Sequence, residues 1–390
     1  MPKFSFARQP ILNSSLELYA YEFLYRPIQD EAPQSHSITA EVIASSALDL
    51  GLKKAANNHF IFLNMSYDDL FSPLIEALPS EQVILELLED LQPDSKLVKR
   101  VQELSAKGFS FALDDFVYTP DWDPLIALAS IIKFDLTVTS IDENKALIEK
   151  LQPYPIQFLA EKVETLDEFK AYKDIGCELF QGYFFCKPEL VQGKAVSAST
   201  LAITKLLADI NRTDISITEL ESTVERDPNL THMLLKYLNS ANFSFKNPIE
   251  RIKQAIVILG INETKKWVTL ISLRSIPSKP LELIKHALVR AKLAELIALE
   301  NTEKNPNSFF LMGLLSTIDA LLDITMKEAL KLMPLKDEIL EALLEQKGEM
   351  GRVLSIIIDH EQQLNWPIDQ DYSTQYIDAC QWADDVTSSI

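Results

Sequence analysis

The chain has 390 residues, and 57 aspartates and glutamates against 37 lysines and arginines leave it with a formal charge of −20. Such a balance excludes a general nucleic-acid or anionic-membrane surface, because both need clustered positive charge. Nearly half of the residues are apolar (47%), which excludes disorder and supplies the cores of two domains.

The first half alternates short apolar runs with helical stretches. ARQPIL and ELYAYEFLYR are separated only by Asn13, Ser14 and Ser15, too few residues for a crossover helix, so they predict an antiparallel hairpin. The runs that follow are FIFLNMS (60–66), VILELLE (83–89), FSFALDDF (109–116), IIKFDLT (131–137), IQFLAEKV (156–163) and LFQGYFF (179–185). Between them lie stretches such as SKLVKRVQELSAK, where Leu97, Val98, Val101 and Leu104 recur at helical spacing. Strand–helix–strand units repeated this often predict parallel strands closed into a (β/α) barrel. ELVQGKAVSAST has no strong period and marks a linker. Beyond it the signals are helical: Ser216 with Glu219 fits a capping box, Pro228 suits a first turn, and Gly260 stops PIERIKQAIVILG. The expected organisation is a barrel over 1–190, a linker over 191–199 and an all-helical domain over 200–390.

Barrel sites lie at the C-terminal ends of the strands, so the polar residue closing each run is the candidate. These are Glu22, Asn64, Glu86, the adjacent Asp114 and Asp115, Lys133 with Asp135, Glu161 and Gln181. One carboxylate at a strand end is usually a helix cap or a solvated loop residue. Agreement among the strands carries the argument. Adjacent aspartates repel unless positive charge lies between them, and an all-oxygen donor set without histidine suits Mg²⁺ or Mn²⁺. Lys133 beside such a cluster can polarise a water or bind a phosphate oxygen. Asp135 reads as structural, capping the next helix or pairing with Lys133. Cys177, Cys186 and Cys380 lack CxxC spacing, no apolar run is long enough to span a membrane, and MPKFSFARQPIL is no secretion signal, so the expected location is the cytoplasm.

Residues 8 to 188 resemble the EAL domain of cyclic di-GMP phosphodiesterases through QPI (9–11), the ExLxR signature Glu22-Phe23-Leu24-Tyr25-Arg26, LNMS (63–66), ELLE (86–89), LDDF (113–116), IKFD (132–135), AEKVET (160–165) and QGYFFCKP (181–188). The resemblance implies an EAL-type (β/α)8 barrel whose first strand is antiparallel. It implies a first metal on Glu22, Asn64, Glu86 and Asp114, with Asp115 bridging to a second and Glu161 completing the cluster. Lys133 steers the water, Gln181 lines the site and Arg26 meets a substrate phosphate. The implied chemistry is metal-assisted opening of cyclic di-GMP to the linear dinucleotide, with Mg²⁺ or Mn²⁺ as one ion, two or none.

Three departures stand out. The family's Gly-Thr-Gly-Tyr-Ser-Ser loop, linked to the second metal and to dimer contacts, is Val117-Tyr118-Thr119-Pro120-Asp121-Trp122, which lacks the freedom of glycine. The signature alanine is Phe23, which takes up space beside Glu22 unless it points outward. The glycine of the family's AEGVE is Lys162, a charge able to replace a lost second metal.

Residues 227–273, with 286–298 and 309–322, resemble the HDOD domain, a helical signalling module related to the HD phosphohydrolases. Ser316-Thr317 stands where an HD enzyme carries its metal-binding His-Asp pair, and two hydroxyls cannot hold a divalent metal. The apolar stripe Ile252, Ala255, Ile256 and Leu259 reads as core, and His36, His59, His232, His286 and His360 as structural. Trp267, Trp366 and Trp382 read as core or as partner anchors. The leading expectation is an EAL–HDOD regulator of motility or biofilm behaviour, with a divergent barrel that senses cyclic di-GMP or a partner and a non-catalytic HDOD output domain. An active phosphodiesterase and a scaffold without nucleotide are the alternatives; homodimerisation and protein partners through HDOD are expected, nucleic-acid and membrane binding are not.

Overall fold

The computed structural model describes residues 4–27, 56, 58–187, 198–212, 214–239, 248–274, 276, 279–361 and 372–389. Contacts divide the chain into two compact units, Met1–Phe185 with Pro367–Ile377 and Cys186–Trp366 with Asp378–Ile390.

In the first unit eight strands close into a barrel in chain order: β1 (Phe4–Asn13), β2 (Leu18–Pro27), β3 (Phe60–Met65), β4 (Val83–Leu87), β5 (Ser110–Leu113), β6 (Ile131–Asp135), β7 (Gln157–Glu161) and β8 (Leu179–Gln181). β1 runs antiparallel to both neighbours, β2 and β8, and the remaining pairs are parallel. The expected hairpin is therefore present. Its turn is set by Asn13, whose side-chain oxygen accepts from the N–H of Ser15 (2.8 Å) and Glu17 (3.0 Å), while Leu16 takes a left-handed φ of 62°.

Each strand gives one residue to a central apolar layer: Ile11, Ala20, Phe62, Ile84, Ala112, Ile131, Leu159 and Leu179, all buried. Each large side chain so buried contributes roughly 1.5–3 kcal/mol. Side chains alternate faces along a strand, so the residues two positions on share the interior one layer higher. On the parallel strands and β2 those are Glu22, Asn64, Glu86, Asp114, Lys133, Glu161 and Gln181. On antiparallel β1 the equivalent step runs backwards, to Gln9, which pairs in register with Glu22.

Helices α1 (Ser95–Ala106), α2 (Ile141–Leu151) and α3 (Leu166–Ile175) connect successive strands. α1 is capped by Asp94, whose carboxylate accepts from the Leu97 N–H, and it buries Leu97, Val101 and Leu104 on one face. α2 and α3 start with the capping boxes Ser140/Glu143 and Thr165/Glu168. The run expected as a strand over 179–185 stops at Gln181 and continues as a 3₁₀ turn, Tyr183–Cys186. Gly182 is the reason: its φ is 145°, and a Cβ there would lie 2.2 Å from the Val163 carbonyl oxygen.

Every described element of the second unit is a helix. Ser216 and Glu219 form the expected capping box, Pro228 opens a helix capped by Asp227, and Gly260 closes Ile252–Leu259. Ile252, Ala255 and Ile256 are buried and Leu259 is half-buried, as a core stripe requires. Trp267 is buried against Tyr237 (ring centroids 4.0 Å) and also meets Trp382, while Trp366 and His36 lie outside the described residues. Two helices, α4 (Leu281–Glu300) and α5 (Pro306–Leu315), approach so closely that a Cβ on Gly313 would sit 2.6 Å from the Arg290 carbonyl oxygen. A later helix, α6 (Gly348–Glu361), also packs on α4. Among the described residues no helix is long and apolar enough to cross a membrane.

Candidate active site

The upper interior layer of the barrel converges on one ammonium group. Lys133 Nζ, on a side chain 1% exposed, lies 2.7 Å from Asp114 Oδ1, 2.7 Å from Glu161 Oε1 and 3.6 Å from Glu22 Oε2, and it also contacts Glu86 Oε1. Asn64 Nδ2 donates to Glu22 Oε1 (3.0 Å), and Gln181 Nε2 donates to Glu22 Oε2 (2.6 Å) and Gln9 Oε1 (2.9 Å). Asp115 follows at the end of β5 with a left-handed φ of 42°, and one ligand atom each of Asp114, Asp115 and Glu161 lie within 4.8 Å of one another. The structure thus gathers Glu22, Asn64, Glu86, Asp114, Asp115, Lys133, Glu161 and Gln181 in one place. Arg26 has its backbone in β2 opposite Ser5, and its side chain lies outside the described residues.

Burial, reinforced first by the charge of Glu22, holds the Glu86 carboxyl well above the usual range. Glu161 is likewise raised by burial, against the pull of Lys133. Asp115 is raised by burial and by neighbouring Asp114. For Lys133, burial favours the neutral amine, but Glu161, Glu22, Glu86 and Asp114 outweigh it and hold its pKa well above that of an ordinary lysine.

Four carboxylates share one ammonium here with Asp115 beside them, and burial together with their mutual repulsion raises the Glu86 and Glu161 carboxyls. Three buried oxygens, Asn64 Oδ1, Glu86 Oε2 and Gln181 Oε1, have no hydrogen-bond donor among the described residues. Orphaned oxygens in an acidic, histidine-free cluster fit a hard divalent cation such as Mg²⁺ or Mn²⁺. Glu22, Asn64, Glu86, Asp114, Asp115 and Glu161 are the side chains placed to hold it.

One expectation changes and one open alternative is decided. Asp135 neither pairs with Lys133 nor caps the next helix, which Ser140 caps. Its carboxylate accepts from Thr137 N–H and Oγ1, both at 2.6 Å, and from Lys162 Nζ. The reason is directional: Lys133 points into the barrel, and Asp135, two residues on, lies above it at the rim. Phe23 does not crowd Glu22, because alternation turns it to the opposite face of β2, where it is 2% exposed.

The loop after the paired aspartates is held from both ends. The Phe116 N–H donates to the Lys133 carbonyl (3.1 Å), its ring meets Trp122 edge to face at 5.7 Å, and Pro120–Trp122 forms a 3₁₀ turn. None of residues 117–122 has positive φ, so the path is one that valine and proline accept. Gln9 was not singled out by its sequence; the available signal was its place in QPI, in register with Glu22.

The helical unit holds a different cluster, around Ser316. Arg290 of α4 donates from Nε (3.0 and 2.9 Å) and Nη2 (2.7 Å) to the Glu361 carboxylate of α6, and from Nη1 to Ser316 Oγ (3.2 Å). His286 Nε2 lies 3.4 Å from Glu361 Oε2, and burial pushes its pKa down to about 4.

Comparison with known proteins gives the EAL domain over residues 3–188 and the HDOD domain over 198–346. YuxH of Bacillus subtilis (strain 168) is 33% identical over 397 residues, covering 96% of this chain and 97% of that protein. The cyclic di-GMP phosphodiesterase CdgJ of Vibrio cholerae is 32% identical over 403 residues, covering 98% and 93%. A standalone EAL protein of Vibrio cholerae O395, solved with cyclic di-GMP bound, is 25% identical over 48% of this chain and 92% of that chain, with a TM-score of 0.37.

Proposed function

We propose, for a chain that belongs to the family joining an EAL domain to an HDOD domain, that the barrel binds cyclic di-GMP with a divalent cation and opens one phosphodiester bond. The observation that carries this reading is the acid cluster itself: four carboxylates on one buried lysine, a fifth beside them, and buried oxygens on the same residues and their neighbours without a donor among the described residues. A divalent ion bound there supplies a water of lowered pKa and positive charge against the phosphate oxygens. Glu161, its pKa raised, is suited to take the proton of the attacking water. Lys133 holds four carboxylates in a fixed array, and Gln181, fixed by Gln9 and Glu22, keeps its free carbonyl oxygen in the site. A P–O bond forms to the water oxygen, one ring P–O bond breaks, and the departing ribose oxygen takes a proton from solvent. Arg26 is the proposed phosphate contact.

The helical unit is proposed as a non-catalytic output module that docks protein partners, since its central pair, Arg290–Glu361, is charge-balanced beside Ser316. The test incubates purified protein with cyclic di-GMP and Mg²⁺ or Mn²⁺ and follows linear dinucleotide by chromatography. Turnover that disappears in Glu22→Ala supports the enzyme. Binding in Ca²⁺ without turnover in Mg²⁺ or Mn²⁺ favours the divergent sensor, a reading supported by the glycine-free loop 117–122. Neither binding nor turnover leaves a scaffold.

A further inference from the structure

Lys162 is in an unusual position for a lysine. It directly follows Glu161 at the end of β7, and its backbone has φ 56°, a conformation glycine adopts freely and a Cβ-bearing residue avoids. A strained residue at the rim of a charged cluster needs a compensating interaction. That interaction is visible: Lys162, its side chain 57% exposed, places its ammonium on the Asp135 carboxylate, which is 1% exposed. The same positive charge acts on Asp115 and Glu161. Asp115 is itself left-handed, so the two strained residues belong to turns at the ends of β5 and β7, on either side of β6. The inner acids are served by Lys133, with orphaned oxygens among them; at the rim Asp135 carries the Lys162 ammonium and Asp115 feels its charge.

We infer that Lys162 stands in for one of the two divalent ions that such a cluster would otherwise hold, so that the barrel takes a single ion on its inner acids. An ammonium neutralises charge but brings no open coordination positions and no metal-bound water. Lys162 is therefore a positioning residue that sets the metal count. This inference rests on the proposed metal-dependent reading of the barrel.

The test measures Mn²⁺ bound per full-length chain by equilibrium dialysis, with free Mn²⁺ read by its electron paramagnetic resonance signal. Moderate salt suppresses loose association with the acidic surface, and Asp114→Asn gives the blank. The expected result is one specific Mn²⁺ in the wild type and in Lys162→Arg, and two in Lys162→Gly and Lys162→Asn. Glycine relaxes the backbone, and asparagine tolerates the left-handed conformation while removing the charge, so agreement between them isolates the charge. Two ions in the wild type, or one in every Lys162 variant, overturns the inference and leaves the metal-dependent reading intact. No specific Mn²⁺ in the wild type overturns that reading, and this inference with it.

Discussion

The barrel and the helical unit each bury a basic side chain among acids, and the two clusters are balanced in opposite ways. Lys133 faces four carboxylates, with Asp115 as a fifth nearby, whereas Arg290 directs its Nε and Nη2 hydrogen bonds to Glu361 and that of Nη1 to Ser316, with Asp319 also in its field. A balanced pair satisfies itself and holds helices together. An unbalanced cluster stores repulsion that an added cation or a proton relieves, which is how a site built for a ligand differs from one built for the fold.

That contrast breaks most sharply at Arg290. Arg290→Ala leaves Glu361 buried without its partner and is expected to destabilise the helical unit by about 3–5 kcal/mol. Urea unfolding in a Trp122→Phe background, where the remaining tryptophans lie in the helical unit, measures it. A loss under about 1 kcal/mol would mean that the pair is not structural.

His286 sharpens the contrast through pH. Its pKa is lowered in the folded state to about 4, so its neutral form is the folded one. The stability this confers is complete above the unfolded value of about 6.5 and is lost as pH falls through the window down to about 4. A shift of that size corresponds to about 3 kcal/mol at most. His286→Leu cannot charge, so its unfolding free energy should decline less steeply across that window than the wild type's.

The smallest effect has the opposite sign and lies in the barrel. Glu86 has a raised folded pKa from burial and then Glu22, so it withdraws stability as pH rises above the unfolded glutamate value and is fully ionised only above its raised one. Glu86→Gln removes that charge and is expected to stabilise the metal-free barrel near neutral pH by about 1 kcal/mol. It should also abolish the rise in melting temperature that Mn²⁺ gives the wild type. A metal-free variant less stable than the wild type would show the acid cluster to be structural.

Much of the barrel was legible because period and polarity coincide. Each run carries its apolar residue two positions before its polar one, as in Phe62 with Asn64 or Leu159 with Glu161, and alternation sends both to one face. The adjacent aspartates were legible by their repulsion. Partner choice at the rim was not, because it depends on how the strand-end turns bend: Asp135 meets Lys162 only because residue 162 takes a left-handed φ. Phe23 was ambiguous for the same reason any strand residue is, since sequence fixes alternation but not which face is inside. In the helical unit the caps at Ser216, Asp227 and Gly260 were readable from local chemistry, while the Arg290–Glu361 pair, 71 positions apart, had no local signal.

The antiparallel course of β1 has a practical consequence for anyone handling this protein. Because Phe4 pairs with Pro27 at the far end of β2, polypeptide fused ahead of β1 emerges on the same rim as Asp114 and Glu161. A polyhistidine tag placed there would bring imidazoles to the mouth of the barrel and compete for the ions being counted. A cleavable tag, removed before any titration, avoids the artefact.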